Sequence, residues 1–179
     1  MPAYHSTFLA EEQQADSSNR VVGNLVLLPF HSKFRGPTYP PDQEYDIIEE
    51  TLDLFRANSF FRNFEIKGGA DRLLIYGILF ISDCLNKLNK TMPIKEGQRV
   101  LLNLALEDFK LPGDIGFPLN NLYLPPKGKN EADLLRSYLS QFRQELSDRL
   151  LNRIYQDQNE GPSKHWLAFT KRRFMNKSL

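Results

Sequence analysis

The chain has 179 residues, 41% of them apolar and 25% charged, with a formal net charge of +1. That balance is globular, close to typical usage; the near-zero charge excludes a global bias toward nucleic acid or membrane surfaces. The one cysteine, Cys84, excludes an internal disulfide and a cysteine-rich zinc site.

At this length a single domain spanning residues 1–179 is expected, with roughly 70% of the unfolded surface buried. Residues 1–45 read as an irregular segment, with five prolines and a polar run from Glu11 to Arg20. Within it, Val21–Phe30 is a short apolar piece, broken by Gly23 and closed by Pro29, of the kind that lies extended on a core. Regular structure is predicted from Asp46, which can cap a helix with Glu49 as its reciprocal partner. Ile48, Leu52 and Phe55 then give an apolar stripe to about Phe60. Glu49, Glu50 and Asp53 read as the solvated face of that helix, its acids near the positive end of the macrodipole.

Gly68-Gly69 breaks the chain. Ala70–Lys90 follows as a central helix, because Leu73–Ile81 is apolar or glycine on every side, and a helix of that kind is buried. Ile75, Leu79 and Cys84 are its expected core residues. The run is too short to cross a bilayer. Lys95–Phe109 is a third, amphipathic helix. Leu111–Asn130 carries four prolines and three glycines, yet also Ile115, Phe117, Leu119, Leu122, Tyr123 and Leu124. That density predicts a loop packed on the surface with Phe117 and Leu119 buried. A fourth helix is predicted from an Asn130 cap to about Gln156, nearly 40 Å long. Gly161-Pro162 re-aims the chain, and Ser163 caps a short last helix. The expected fold class is therefore all-α: a multihelical domain of about five helices around one buried central helix, Ala70–Lys90.

The ionisable residues do not converge on chemistry. His5, His31 and His165 show none of the metal-ligand spacings, and Cys84 falls on an apolar face, where a thiol is inert. Gly68-Gly69 lacks a phosphate-binding pattern. Gly113–Gly116 matches the GXXG clamp of a KH domain in spacing but is bracketed by Pro112 and Pro118 and lacks the helix that must follow. No catalytic, cofactor-binding or metal-binding residue is expected. The start of the chain shows no basic and apolar pair of regions typical of a secretory signal, so a reducing cytoplasm or nucleus is the expected compartment.

The charge is unevenly spread. Residues 1–60 hold nine acids and four bases, and residues 161–179 hold five bases and no acid. In the segment PSKHWLAFTKRRFMNKSL, aromatics and methionine interleave with those bases, and Trp, Phe, Met and Arg are enriched at protein interfaces. Lys164, Trp166, Lys171, Arg172, Arg173, Phe174, Met175 and Lys177 are the candidate partner-binding residues. One reading has the aromatics anchor the tail while its charges face an acidic partner. Another has the charges stay solvated, or fold back onto the acidic N-terminal half. A small nucleic-acid-binding module using this basic aromatic tail is the alternative function, resting on the tail alone.

Long motifs run in order along the chain: MPAYHS at Met1–Ser6, GNLVLLPFHSKFRGP at Gly23–Pro37, FFRNFEI at Phe60–Ile66 and ADRLLIYGILFISDCL at Ala70–Leu85. PGDIGFPLN at Pro112–Asn120, RSYLSQFRQE at Arg136–Glu145 and PSKHWLAFTKRRFMNKSL at Pro162–Leu179 follow. Together they closely resemble the family of 21-kDa accessory subunits of the actin-related protein 2/3 complex, departing at Leu9–Arg20 and Asn86–Gly97. The resemblance implies a non-catalytic, multihelical subunit of a complex that nucleates branched actin filaments in the cytoplasmic actin cytoskeleton. It implies contact with actin-related protein 3 and other subunits, nearness to the mother actin filament, and approach to actin-related protein 2 in the activated branch. It implies no cofactor of the chain's own, no nucleic acid and no membrane, ATP being held by the two actin-related subunits.

Overall fold

The computed structural model describes residues 4–12, 19–59, 62–156, 161–170 and 172–179. Helices α1 (Leu9–Glu12), α2 (Ile47–Asn58), α3 (Gly69–Lys87), α4 (Ile94–Leu106), α5 (Gly128–Ile154) and α6 (Lys164–Leu167) carry the architecture. They are joined by one antiparallel hairpin, β1 (Arg20–Val22) with β2 (Leu25–Leu27). The fold is thus mostly α and not strictly all-α.

The hairpin corrects the reading of Val21–Phe30 as a merely extended piece. Val22 pairs with Leu25 across a two-residue loop, and Gly23 turns it with a φ of +62°, the conformation such loops ask of glycine. Every residue of β2 is buried, and β2 lies on α3. Period-two alternation is absent because β2 is covered on both faces.

Asp46 caps α2 as expected: its carboxylate accepts from the Glu49 backbone N–H at 3.0 Å. The reciprocal half of the predicted box is replaced, since Glu49 reaches across to Arg149 and Arg153 instead. Ile48, Leu52 and Phe55 are buried. The helix ends at Asn58, with Ser59 as its C-terminal cap.

The centre of the molecule is α3. Ile75, Leu79 and Cys84 are at most 1% exposed, and burial pushes the Cys84 thiol up, with Asp83 adding to the effect. The helix packs against α1, α2, β2, α4 and α5. Gly77 allows a close approach to α2: a Cβ there would meet Thr51 Cγ2 at 2.6 Å. Leu73, Leu74, Ile78 and Ile81 fill the remaining faces of the helix.

Helix α5 begins earlier than its apparent cap: Gly128 is its first residue, and neither Asn130 nor Lys127 provides a side-chain cap. It stops at Ile154. Its inner stripe, Leu135, Leu139, Phe142, Leu146 and Leu150, is buried, and α4 lies along it.

The segment between α4 and α5 is ordered against the core. Phe117 and Leu119 are buried. The Tyr123 hydroxyl donates to the Arg72 carbonyl, and Asn24 at the hairpin tip bonds both Leu122 and Leu124. Ile115 and Leu124 of the same segment point outward, 95% and 58% exposed.

Candidate interaction surface

Ser163 caps α6 as predicted, its hydroxyl accepting from the His165 N–H at 3.3 Å. That turn delivers Trp166 onto α2. Its ring stacks on Phe55 at 6.0 Å between centroids, and the Arg56 guanidinium lies 4.5 Å from the Trp166 ring centroid. Phe169 meets Phe55 edge-on at 5.9 Å. Further along, Phe174 is wholly buried against Phe64 at 5.8 Å. Phe64 in turn meets the His5 ring at 4.8 Å. Met175 is half-buried; it and Asn176 adopt φ of 54° and 57°, a left-handed pair uncommon outside glycine.

The aromatics therefore dock the tail on α2 and on the connector before α3. The bases do not follow them inward. Lys164, Arg172, Arg173 and Lys177 are exposed, while Lys171 lies outside the described residues. Among the described residues no ion pair joins Lys164, Arg173 or Lys177 to an acid. The tail's rings thus lie on the N-terminal half, while Lys164, Arg173 and Lys177 make no ion pair there among the described residues.

The acids of α2 have other partners, which sequence reasoning missed. Glu50 is not solvated but 1% exposed; it accepts from the Ser6 hydroxyl, the Thr7 hydroxyl and the Thr7 N–H. Arg149 forks onto Asp46 with two 2.9 Å bonds, reaches Glu49 and Glu145 at 3.2 Å, and donates to the His31 carbonyl. Arg153 bonds Glu49 at 2.5 Å and Asp53 at 2.8 Å. Burial draws the two guanidinium pKa values down, and the neighbouring carboxylates more than offset it, leaving both raised. The readable signal was spacing: Asp46, Glu49 and Asp53 face one way on α2, as Arg149 and Arg153 do on α5.

A second buried arginine organises the far end. Arg143 is 4% exposed. It donates to the Leu104 and Ala105 carbonyls at 2.8 and 3.4 Å, satisfying the C-terminal end of α4. Its guanidinium lies 4.6 Å from the Phe80 ring and 4.5 Å from the Phe109 ring. Beside it a cleft of about 460 Å³ is lined by Asp83, Glu107, Asp108 and Lys110. Burial pushes Asp83 up to about 6 against the pull of Arg143 and Lys87.

The buried thiol is held neutral, and His165 is exposed. Among the described residues no three His, Cys, Asp or Glu side chains gather to hold a metal ion. No helix of the described residues is long and apolar enough to cross a membrane. The Gly113–Gly116 loop closes on itself: Asn120 accepts from the Gly113 N–H and donates to the Asp114 carbonyl. The next helix, α5, begins only at Gly128.

Against known proteins, residues 1–179 match the family model P21-Arc, described as "ARP2/3 complex ARPC3 (21 kDa) subunit". The chain is 60% identical over 182 residues to actin-related protein 2/3 complex subunit 3 of Saccharomyces cerevisiae, covering 100% of both chains. It is 54% identical over 180 residues to the Schizosaccharomyces pombe protein of the same name, again over 100% of both. A probable subunit 3 from Caenorhabditis elegans is 46% identical over 100% of this chain and 96% of its own.

Proposed function

Because the chain belongs to the P21-Arc family, the structural and non-catalytic 21-kDa subunit of the ARP2/3 complex, we propose how it serves branched actin nucleation. It acts as one domain in the cytoplasmic actin cytoskeleton, seated against actin-related protein 3 and other subunits. Its tail cations face the mother actin filament or an actin-related subunit, with actin-related protein 2 drawn near in the activated branch. The observation that carries this reading is the split within the tail: Trp166 and Phe174 are buried anchors, while Lys164, Arg173 and Lys177 stand exposed, with no ion pair to an acid among the described residues. The carboxylates of Asp46, Glu49 and Glu50 are engaged instead by Arg149, Arg153, Ser6 and Thr7. Anchored rings hold the cations in place, so less ordering entropy is lost on docking. The nucleic-acid reading finds no support in the relatives named above, each a subunit of a protein complex.

The test is a Lys164/Arg173/Lys177 triple change to alanine in the reconstituted complex. Rim charges act through association rate and salt sensitivity, so the thermal midpoint of the subunit should stay put while branch formation slows. The defect should be largest at low salt, where screening is weakest. Normal branching at every ionic strength, with the complex fully assembled, refutes the cationic contact.

A further inference from the structure

We propose that Thr7 is a phosphorylation site whose modification releases the N-terminal strap, residues 4–12, from the face of α2 and α3. The strap is held by polar side chains at three points. The Tyr4 backbone exchanges two 2.9 Å bonds with the Asn58 amide. Asp71, wholly buried, bonds His5 Nδ1 at 2.7 Å and accepts from the Ser6 N–H at 2.8 Å. Glu50 takes Ser6 Oγ and Thr7 Oγ1, each at 2.5 Å, and the Thr7 N–H at 2.9 Å.

The Glu50 point is the vulnerable one. Among the described residues no cation pairs with this buried carboxylate, so its compensation comes from donors on the strap. Ser6 is 4% exposed and closed to a modifying enzyme. Thr7 is exposed while its hydroxyl still donates to Glu50. A protein kinase would move the terminal phosphoryl group of a nucleoside triphosphate onto Thr7 Oγ1. The Oγ1–P bond forms, the bond to the departing nucleoside diphosphate breaks, and the hydroxyl proton leaves to the kinase's base. Two losses coincide at Glu50: the hydroxyl donor is gone, and a group of charge about −2 stands against a carboxylate. The strap then leaves, and Glu50 and Asp71 are hydrated in its place. Release also removes His5 from Phe64, the ring that pins Phe174 and the basic tail. This inference does not depend on which partner the tail meets.

The experiment installs phosphothreonine at position 7 in the full chain, assembled in its complex, and reads amide hydrogen exchange over residues 4–12. Exchange should speed up by well over about tenfold, since the loss of a charge-assisted hydrogen bond alone is worth about that much and the added charge comes on top of it. Thr7→Val, which removes the donor without adding charge, should give a smaller change. Glu50→Gln in the phosphorylated chain should restore much of the protection, judged against the unmodified Glu50→Gln protein at matched thermal midpoint. Equal protection with and without phosphate overturns the proposal, as does an effect of Thr7→Val as large as that of phosphorylation. Complex purified from its own cells with phosphatases inhibited should carry phosphate on Thr7. Its absence there, with other serines and threonines modified, also overturns it.

Discussion

Replacing Arg149 by methionine tests the ionic joint between α2 and α5. The guanidinium is 19% exposed and faces Asp46, whose side chain is wholly buried, and Glu145, which is 7% exposed. Removing one partner of a buried pair costs about 3–5 kcal/mol, because the other charge is left without compensation. The lower end applies: Asp46 keeps the backbone N–H groups of His31 and Glu49, both at 3.0 Å, and Glu49 keeps Arg153. A loss of about 3 kcal/mol lowers the thermal midpoint by roughly 6–12 °C for a chain of this size. Arg149→Lys should recover little, since an ammonium cannot supply the two-pronged bond to Asp46. Adding Asp46→Asn to the methionine variant removes the stranded charge yet keeps a capping oxygen, and should regain more than half of the loss. Calorimetry on all three variants decides. A loss under about 1 kcal/mol for Arg149→Met, the range of surface ion pairs, would show that the joint behaves as an exposed one.

Two further predictions concern the core and pH. Leu79→Ala, at a side chain 1% exposed, should cost about 2–5 kcal/mol in chemical denaturation; a smaller loss would mean that α3 is not closely packed there. Asp83 has its pKa raised from 3.8 to about 6 by burial, so the folded chain binds more protons than the unfolded one between those values. Its contribution to stability is fully present below the lower value and is lost as pH rises through the upper one. Asp83→Asn should flatten that fall, and a stability profile from pH 4 to 7 unchanged by the substitution would contradict the assignment.

The helices were legible because their apolar residues recur at helical spacing over long stretches: Leu135 to Ile154 fixes α5, and Leu73 to Ile81 marks the one helix with no polar face. The hairpin escaped because β2 is buried on both faces and shows no alternation, although Gly23-Asn24 was a usable turn signal. Asn130 misled as a cap because the helix was free to start a turn earlier. The tail's anchoring rings were legible from their interleaving with charge. The fate of the α2 acids was not, since Glu50 and Glu49 are neighbours in sequence but point to opposite environments. One is sealed under Ser6 and Thr7, and the other is shared by two arginines about a hundred residues away.

Phe64 touches a ring from each extremity of the described chain, His5 on one side and Phe174 on the other. The same ring makes fraying cooperative: heat or denaturant that lifts one end takes away half of the seat of the other.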